Sequence, residues 1–235
     1  SLPGNAFAGD DSGHPPPRFT AWPGPLASGV AVPDKQRCVE AARRSGIQVT
    51  HQPRQREARY ELRSDGAYVV HDYHRAPPFS SFLPGIAGLW GIPLWLFYVN
   101  RGQAVACFGA QDKDHAFLEF QSAGLHWRRV ALEGFRTFMR IKRRKRTRFY
   151  EPFRAEERYG LTQRLEVTPG ELRLEERDEQ PGLAVSVEYF TVPNEPFAAL
   201  ARTVKVGNLS HQAARLEVLD GLPKVVPYGK AALFL

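Results

Sequence analysis

An all-β fold, an antiparallel two-sheet β-sandwich, is predicted by three observations on this sequence. Apolar residues recur every second position in short runs, as in Leu161 to Val167 and Leu172 to Glu176. Turn chemistry separates the runs at Ser64-Asp65-Gly66, Arg101-Gly102, Gln111-Asp112-Lys113-Asp114 and Thr168-Pro169-Gly170-Glu171. Fifteen Phe, eight Tyr and four Trp accompany 19 Pro and 20 Gly, a mixture that favours strands and punctuated turns over long helices. With 43% hydrophobic and 24% charged residues in 235, one sandwich with a sizeable core is within reach.

Taken in order, residues 1–34 hold seven Pro and five Gly and can bury little surface, so they read as a disordered leader. Residues 35–46 suit a short helix ended by Gly46. The sandwich is assigned to 35–235. Its strands begin with a hairpin, Arg59 to Leu62 returning over Tyr68 to Tyr73, and Phe79 to Gly91 reads as an irregular loop because Pro and Gly recur in it. Ile92 to Asn100 and Gln103 to Phe108 form a second hairpin. Further strands are expected at 116–120, 135–141, 161–167, 172–176, 183–190, 201–206 and 214–219. Leu165 and Val167 should face Leu172 and Leu174 across the turn at 168–171, which buries one sheet face and wets the other.

The net charge of +7 admits nucleic acid, anionic membrane or phosphorylated ligands without choosing among them. Seven of the nine residues from Arg140 to Arg148 are Lys or Arg. A nucleic-acid patch is one reading of that run. A solvated hairpin tip between two core-facing strands is the simpler one, so neither nucleic acid nor membrane is expected as a partner. Cys38 and Cys107 are far apart and lack ligand spacing, which suggests neither zinc nor a disulfide framework. His71, His74 and His115 sit on separate segments, and no metal is assigned. No apolar run is long enough to span a bilayer and no signal peptide opens the chain, so a cytoplasmic location is expected. Nucleophile-elbow, phosphate-loop, dinucleotide and zincin templates are missing. The apolar stretch Ala231 to Leu235 reads as a point of truncation. Within Phe79 to Gly91, Phe82 and Trp90 can be read as sugar-stacking aromatics or as rings packed on the core, the commoner fate of any single aromatic.

Three phrases, Phe82-Leu83-Pro84-Gly85-Ile86-Ala87-Gly88, Phe97-Tyr98-Val99-Asn100-Arg101-Gly102-Gln103 and Lys113-Asp114-His115, resemble the N-terminal domain of the cellobiose-phosphorylase-like glycoside phosphorylases, glycoside hydrolase family 94. Gly134 to Phe138, Phe149 to Phe153 and Leu219 to Pro223 continue the resemblance, which covers about residues 50 to 229 and is closest to enzymes of β-1,2-glucooligosaccharides. The Pro-rich leader and the insert Lys142 to Arg148 depart from it. The resemblance implies a galactose-mutarotase-like supersandwich at the N-terminal end of a larger inverting enzyme. In that enzyme a helical linker and an (α/α)6 barrel carry the general acid, and inorganic phosphate is the co-substrate that yields α-glucose 1-phosphate. It implies no cofactor and no catalytic residue in this chain, so neither Asp72 nor Glu119 is given the acid role. The sandwich would shape the substrate cleft for a β-glucan oligosaccharide and contact the barrel and a second subunit of a homodimer. Phe82, Trp90, Asn100 and Arg101 are the substrate-binding candidates. A stand-alone carbohydrate-binding sandwich without catalysis is the alternative.

Overall fold

The computed structural model describes residues 57–225 and 227–229; the leader and the helix expected over 35–46 lie outside them. The chain is all-β, with thirteen strands among the described residues. They are β1 (Arg59–Leu62), β2 (Tyr68–His71), β3 (Ser80–Ala87), β4 (Ile92–Val99), β5 (Val105–Gly109), β6 (Ala116–Leu118), β7 (Arg136–Arg143), β8 (Arg146–Tyr150), β9 (Leu161–Val167), β10 (Glu171–Asp178), β11 (Leu183–Val192), β12 (Ala199–Asn208) and β13 (Arg215–Gly221). One α-helix, α1 (Ala123–Glu133), separates β6 from β7.

A six-stranded antiparallel sheet, ordered β1-β2-β9-β10-β11-β12, forms one layer, and a four-stranded sheet β3-β4-β5-β6 and a three-stranded sheet β13-β7-β8 complete the structure. All three sheets contribute to one core. The large sheet supplies Val70, Leu165, Leu172, Leu174 and Val187, the four-stranded sheet Leu94, Leu96 and Phe108, and the three-stranded sheet Met139, Ile141 and Tyr150. The pairing across the turn at 168–171 is the expected one, with Leu172 opposite Val167 and Leu174 opposite Leu165. The outer face of the large sheet is a ladder of ion pairs, such as Arg164–Glu175 at 3.1 Å and Arg173–Glu188 at 2.7 Å. Such half-exposed pairs each contribute at most about 1 kcal/mol and chiefly keep that face wet.

Strands β4 and β5 of the four-stranded sheet are covered on both faces, while the edge strand β3 is largely exposed. Leu94, Leu96 and Ala106 point into the core, whereas Phe97, Val99, Val105 and Cys107 pack with Val130 and Trp127 of α1. The helix was not legible as one of the expected strands, yet Ala123, His126, Trp127 and Val130 recur at helical spacing and Gly134 follows its last turn.

The segment read as an irregular loop, Phe79 to Gly91, is instead mostly the regular strand β3, with Pro84 paired to Trp95 and Gly85 to Leu94. It is an edge strand, which is where a residue lacking an N–H is tolerated. Gly85 is required for closeness, since a Cβ there would lie 2.8 Å from the Thr191 methyl. The strand ends in a tip tied to the β11–β12 connection: Gly88 donates to the Val192 carbonyl at 2.9 Å and Leu89 to the Glu195 carbonyl at 2.8 Å. Gly88 has φ of 68°, and a Cβ would stand 2.8 Å from the Phe197 carbonyl oxygen. Gly88→Ala is therefore expected to destabilise the fold by about 1–3 kcal/mol in urea unfolding, through both left-handed strain and a backbone clash.

Candidate functional site

Period-two geometry places Phe82 on the same face of the four-stranded sheet as Trp95 and Phe97. The Phe82 ring stacks on Trp95 with centroids 5.0 Å apart and an interplanar angle of 26°, and tilts against Phe97 at 5.4 Å. Phe120 braces Trp95 edge-on at 5.2 Å. Because β3 has a free edge, Phe82 keeps 40% of its surface exposed while its inner side is fixed by packing. The result is a rigid aromatic shelf. Trp90, 80% exposed, stands at the hairpin tip with exposed Ile86, Leu89 and Phe197 nearby in the same corner of the fold. At the ordinary strand rise, the five residues from Phe82 to Ala87 put that tip about 16 Å along the edge from the shelf. The structure thus sets Phe82 and Trp90 on one edge without bringing them into one pocket.

Asn100 and Arg101 have a different task. Asn100 is 8% exposed and its side-chain amide is engaged at both ends: the Nδ2 donates to the Ala76 carbonyl at 3.0 Å and the Oδ1 accepts from the indole N–H of Trp127 at 2.7 Å. Arg101 lies with its guanidinium carbon 3.9 Å from the Trp127 ring centroid and donates to the Trp127 carbonyl at 2.7 Å. The two residues clamp one tryptophan of α1, which fixes the helix on the sheet. Arg101 also borders a groove of about 540 Å³ between α1 and the β8–β9 connection, with Arg128, Arg136 and Arg154 facing Glu151 and Glu156. Arg136 is neutralised by Glu151 at 2.7 Å and Arg154 by Glu156 at 3.0 Å.

Two buried polar networks lie beneath. In the first, Glu176 of β10 accepts from the Tyr150 hydroxyl, from the Phe153 backbone N–H at 2.6 Å and from Gln163 Nε2 at 2.6 Å. Burial pushes its carboxyl up to about 7, against the three hydrogen bonds, with the neighbouring Asp178 charge adding to the rise. Asp178 is itself fully buried and paired with Arg158. In the second, Arg202 of β12 donates to Asp220 of β13, to Gln103 Oε1 at 2.6 Å, to Thr137 Oγ1 of β7 at 3.1 Å and to the Tyr189 hydroxyl of β11 at 3.3 Å. Sequence reasoning gave none of these residues a role in a site. The signal for the first was present, since the alternation that buries Leu172 and Leu174 also buries Glu176 and Asp178.

The remaining titratable candidates do not converge. His71 pairs with Glu61 at 2.9 Å and His115 with Asp112 at 2.8 Å, each on its own hairpin. Among the described residues no three of His, Cys, Asp or Glu are placed to hold a metal. Cys107 touches His126 Nε2 at 3.3 Å, but burial pushes the thiol up to about 12 and the imidazole down to about 4, so both rest uncharged rather than as a nucleophile and base. No helix among the described residues is long and apolar enough to cross a membrane. Compared with known proteins, the chain matches no family model and no curated protein.

Proposed function

We propose that this chain is the carbohydrate-facing sandwich of an inverting β-glucan phosphorylase of the cellobiose-phosphorylase-like kind, with β-1,2-glucooligosaccharides as the substrate class. The observation that carries the reading is the shelf of Phe82 on Trp95, set on the free edge of a sheet whose other face is core. A flat, immobilised ring pair with an exposed face offers a pyranose the apolar contact it prefers, at little entropic cost on binding. The distance along β3 to Trp90 suits an oligosaccharide better than a single sugar. The motif order from Phe82 to Pro223 and the all-β architecture support the same reading.

In this reading the sandwich orients the glucan beside a helical barrel. The barrel's general acid protonates the leaving oxygen while phosphate attacks the anomeric carbon and inverts it. Asn100 and Arg101 act as positioning residues through Trp127 and do not contact the sugar. In the full-length enzyme, Phe82→Ala and Trp90→Ala are expected to raise the KM for glucooligosaccharide about 5- to 20-fold with kcat changed less than twofold, as loss of uniform binding does. Glucose 1-phosphate release that depends on phosphate checks the reaction class. Hydrolysis without phosphate, or unchanged KM in both variants, would overturn it. The shelf needs no barrel to bind a sugar, which favours a stand-alone carbohydrate-binding sandwich as the second reading. Glycan-array binding by the isolated chain without phosphorolysis would select it.

A further inference from the structure

The chain has 32 Lys and Arg against 25 Asp and Glu, and seven of those cations fall within residues 140–148. Outside these nine residues, 25 cations face 25 acids, so the whole excess charge of the protein sits on one hairpin. The structure bears out the hairpin itself: β7 and β8 pair directly, with Arg143 opposite Arg146 and only Arg144 and Lys145 in the turn. Arg140 is neutralised by Glu217 of β13. Arg143 is spent on the carbonyls of Pro181 and Gly182 and on Asn208. Lys142, Arg144, Lys145, Arg146 and Arg148 have no ion-pair partner among the described residues. The inner side of the hairpin forms a groove of about 660 Å³ lined by the cations of 143–148 with Gln180 and Gln212, and without a carboxylate.

The outer side of the same hairpin carries Lys142 and two aromatic rings, whereas Arg146 and Arg148 face the inner side. Phe149 pairs across the strands with Arg140, which places Phe138 diagonally from it on one face, at roughly 7–8 Å between backbones. Phe149 is 79% exposed. A further groove of about 510 Å³ runs over both rings toward Leu219, with Glu151 and Glu217 also in its lining, and the Arg136 guanidinium carbon lies 4.5 Å from the Phe138 ring centroid, so Phe149 is the ring left open for stacking. We infer that the β7–β8 hairpin is a binding surface for single-stranded nucleic acid, with phosphates on the cations of 142–148 and a base stacked on Phe149.

Charge decides the sign of the partner, and the exposed Phe149 ring decides its class. An acidic protein surface would be held by the cations but would leave the exposed Phe149 ring without a role, whereas unpaired bases stack on such a ring whatever their sequence. An anionic bilayer would have to take up the apolar groups first, yet the hairpin's tip is Arg144-Lys145 and Phe149 lies about 13 Å back from it at the ordinary strand rise. This surface is independent of the carbohydrate reading and lies on a different sheet from Phe82.

The test is fluorescence anisotropy of the whole chain with fluorescein-labelled 20-mers of deoxythymidine and uridine at 50 and 200 mM salt. Four or five phosphate contacts predict binding that weakens about 50- to 130-fold across that range. Arg144→Gln with Lys145→Gln and Arg148→Gln should flatten the salt dependence, and Phe149→Ala should weaken binding about 5- to 100-fold at unchanged salt slope. All four positions are on the surface, and unchanged thermal melts confirm that the variants fold. No binding at 50 mM salt overturns the inference. So does binding to poly-glutamate, or to vesicles with 30% phosphatidylserine, that matches the oligonucleotides and is indifferent to Phe149→Ala.

Discussion

Replacing Arg202 with Met is expected to destabilise the folded chain by about 3–5 kcal/mol in chemical denaturation, with a fall in Tm of about 10 °C. The side chain is almost wholly enclosed, and its fork reaches Asp220, Gln103, Thr137 and Tyr189 at once. Those partners come from β13, the β4–β5 connection, β7 and β11, so one guanidinium ties the large sheet to the three-stranded sheet behind it. Removing it takes one donor from each of these acceptors and leaves the Asp220 carboxylate without its counter-charge, held by the Thr137 hydroxyl alone. Lys in its place carries the charge but cannot present several donors in fixed directions, so Arg202→Lys should recover less than half the loss. The double change Arg202→Met with Asp220→Leu should be less damaging than Arg202→Met alone, because it removes the stranded charge as well. A loss under about 1 kcal/mol for Arg202→Met would refute this account.

The second large effect is on pH dependence and belongs to Glu176. Its carboxyl is raised by burial from 4.5 to about 7 in the folded chain, and the protonated form is thus favoured by folding. The group's contribution to stability is fully present below pH 4.5, is lost as pH rises toward 7, and changes no further above that. The span corresponds to about 3 kcal/mol. The groups facing it are Tyr150 from β8, the Phe153 amide, Gln163 from β9 and Asp178 on its own strand, with Tyr73 close enough to feel its charge. Urea unfolding of Glu176→Gln at pH 5 and pH 8 should therefore show a much smaller loss between the two values than the parent chain shows. Identical pH dependence in the two proteins would mean that Glu176 stays ionised throughout, held by its three donors.

The sandwich and most of its strands were legible because period two survives wherever one sheet face is buried and the other wet, as at β9 and β10. The segment at Phe79 to Gly91 was not, because Pro84 and Gly85 argue against a strand unless one knows that the strand is an edge. Edge or centre is a property of the assembled sheet and not of the segment. Helix α1 was hidden for a related reason: its packing face is short and half aromatic, and only the outer face of the four-stranded sheet gives that face something to cover.

Among the candidate residues, the sequence by itself singled out the aromatics Phe82 and Trp90, and the basic run 140–148 as a hairpin. Composition and local spacing are enough to mark a ring or a charge as unusual. Only the tertiary structure decided what each one does. It stacked Phe82 on Trp95, turned Asn100 and Arg101 inward onto Trp127, and left the cations of the β7–β8 tip without acids to neutralise them among the described residues. Partners brought together from distant segments have no signature at any one position, since a side chain's neighbours across sheets are fixed by strand order and register and by nothing in the local sequence.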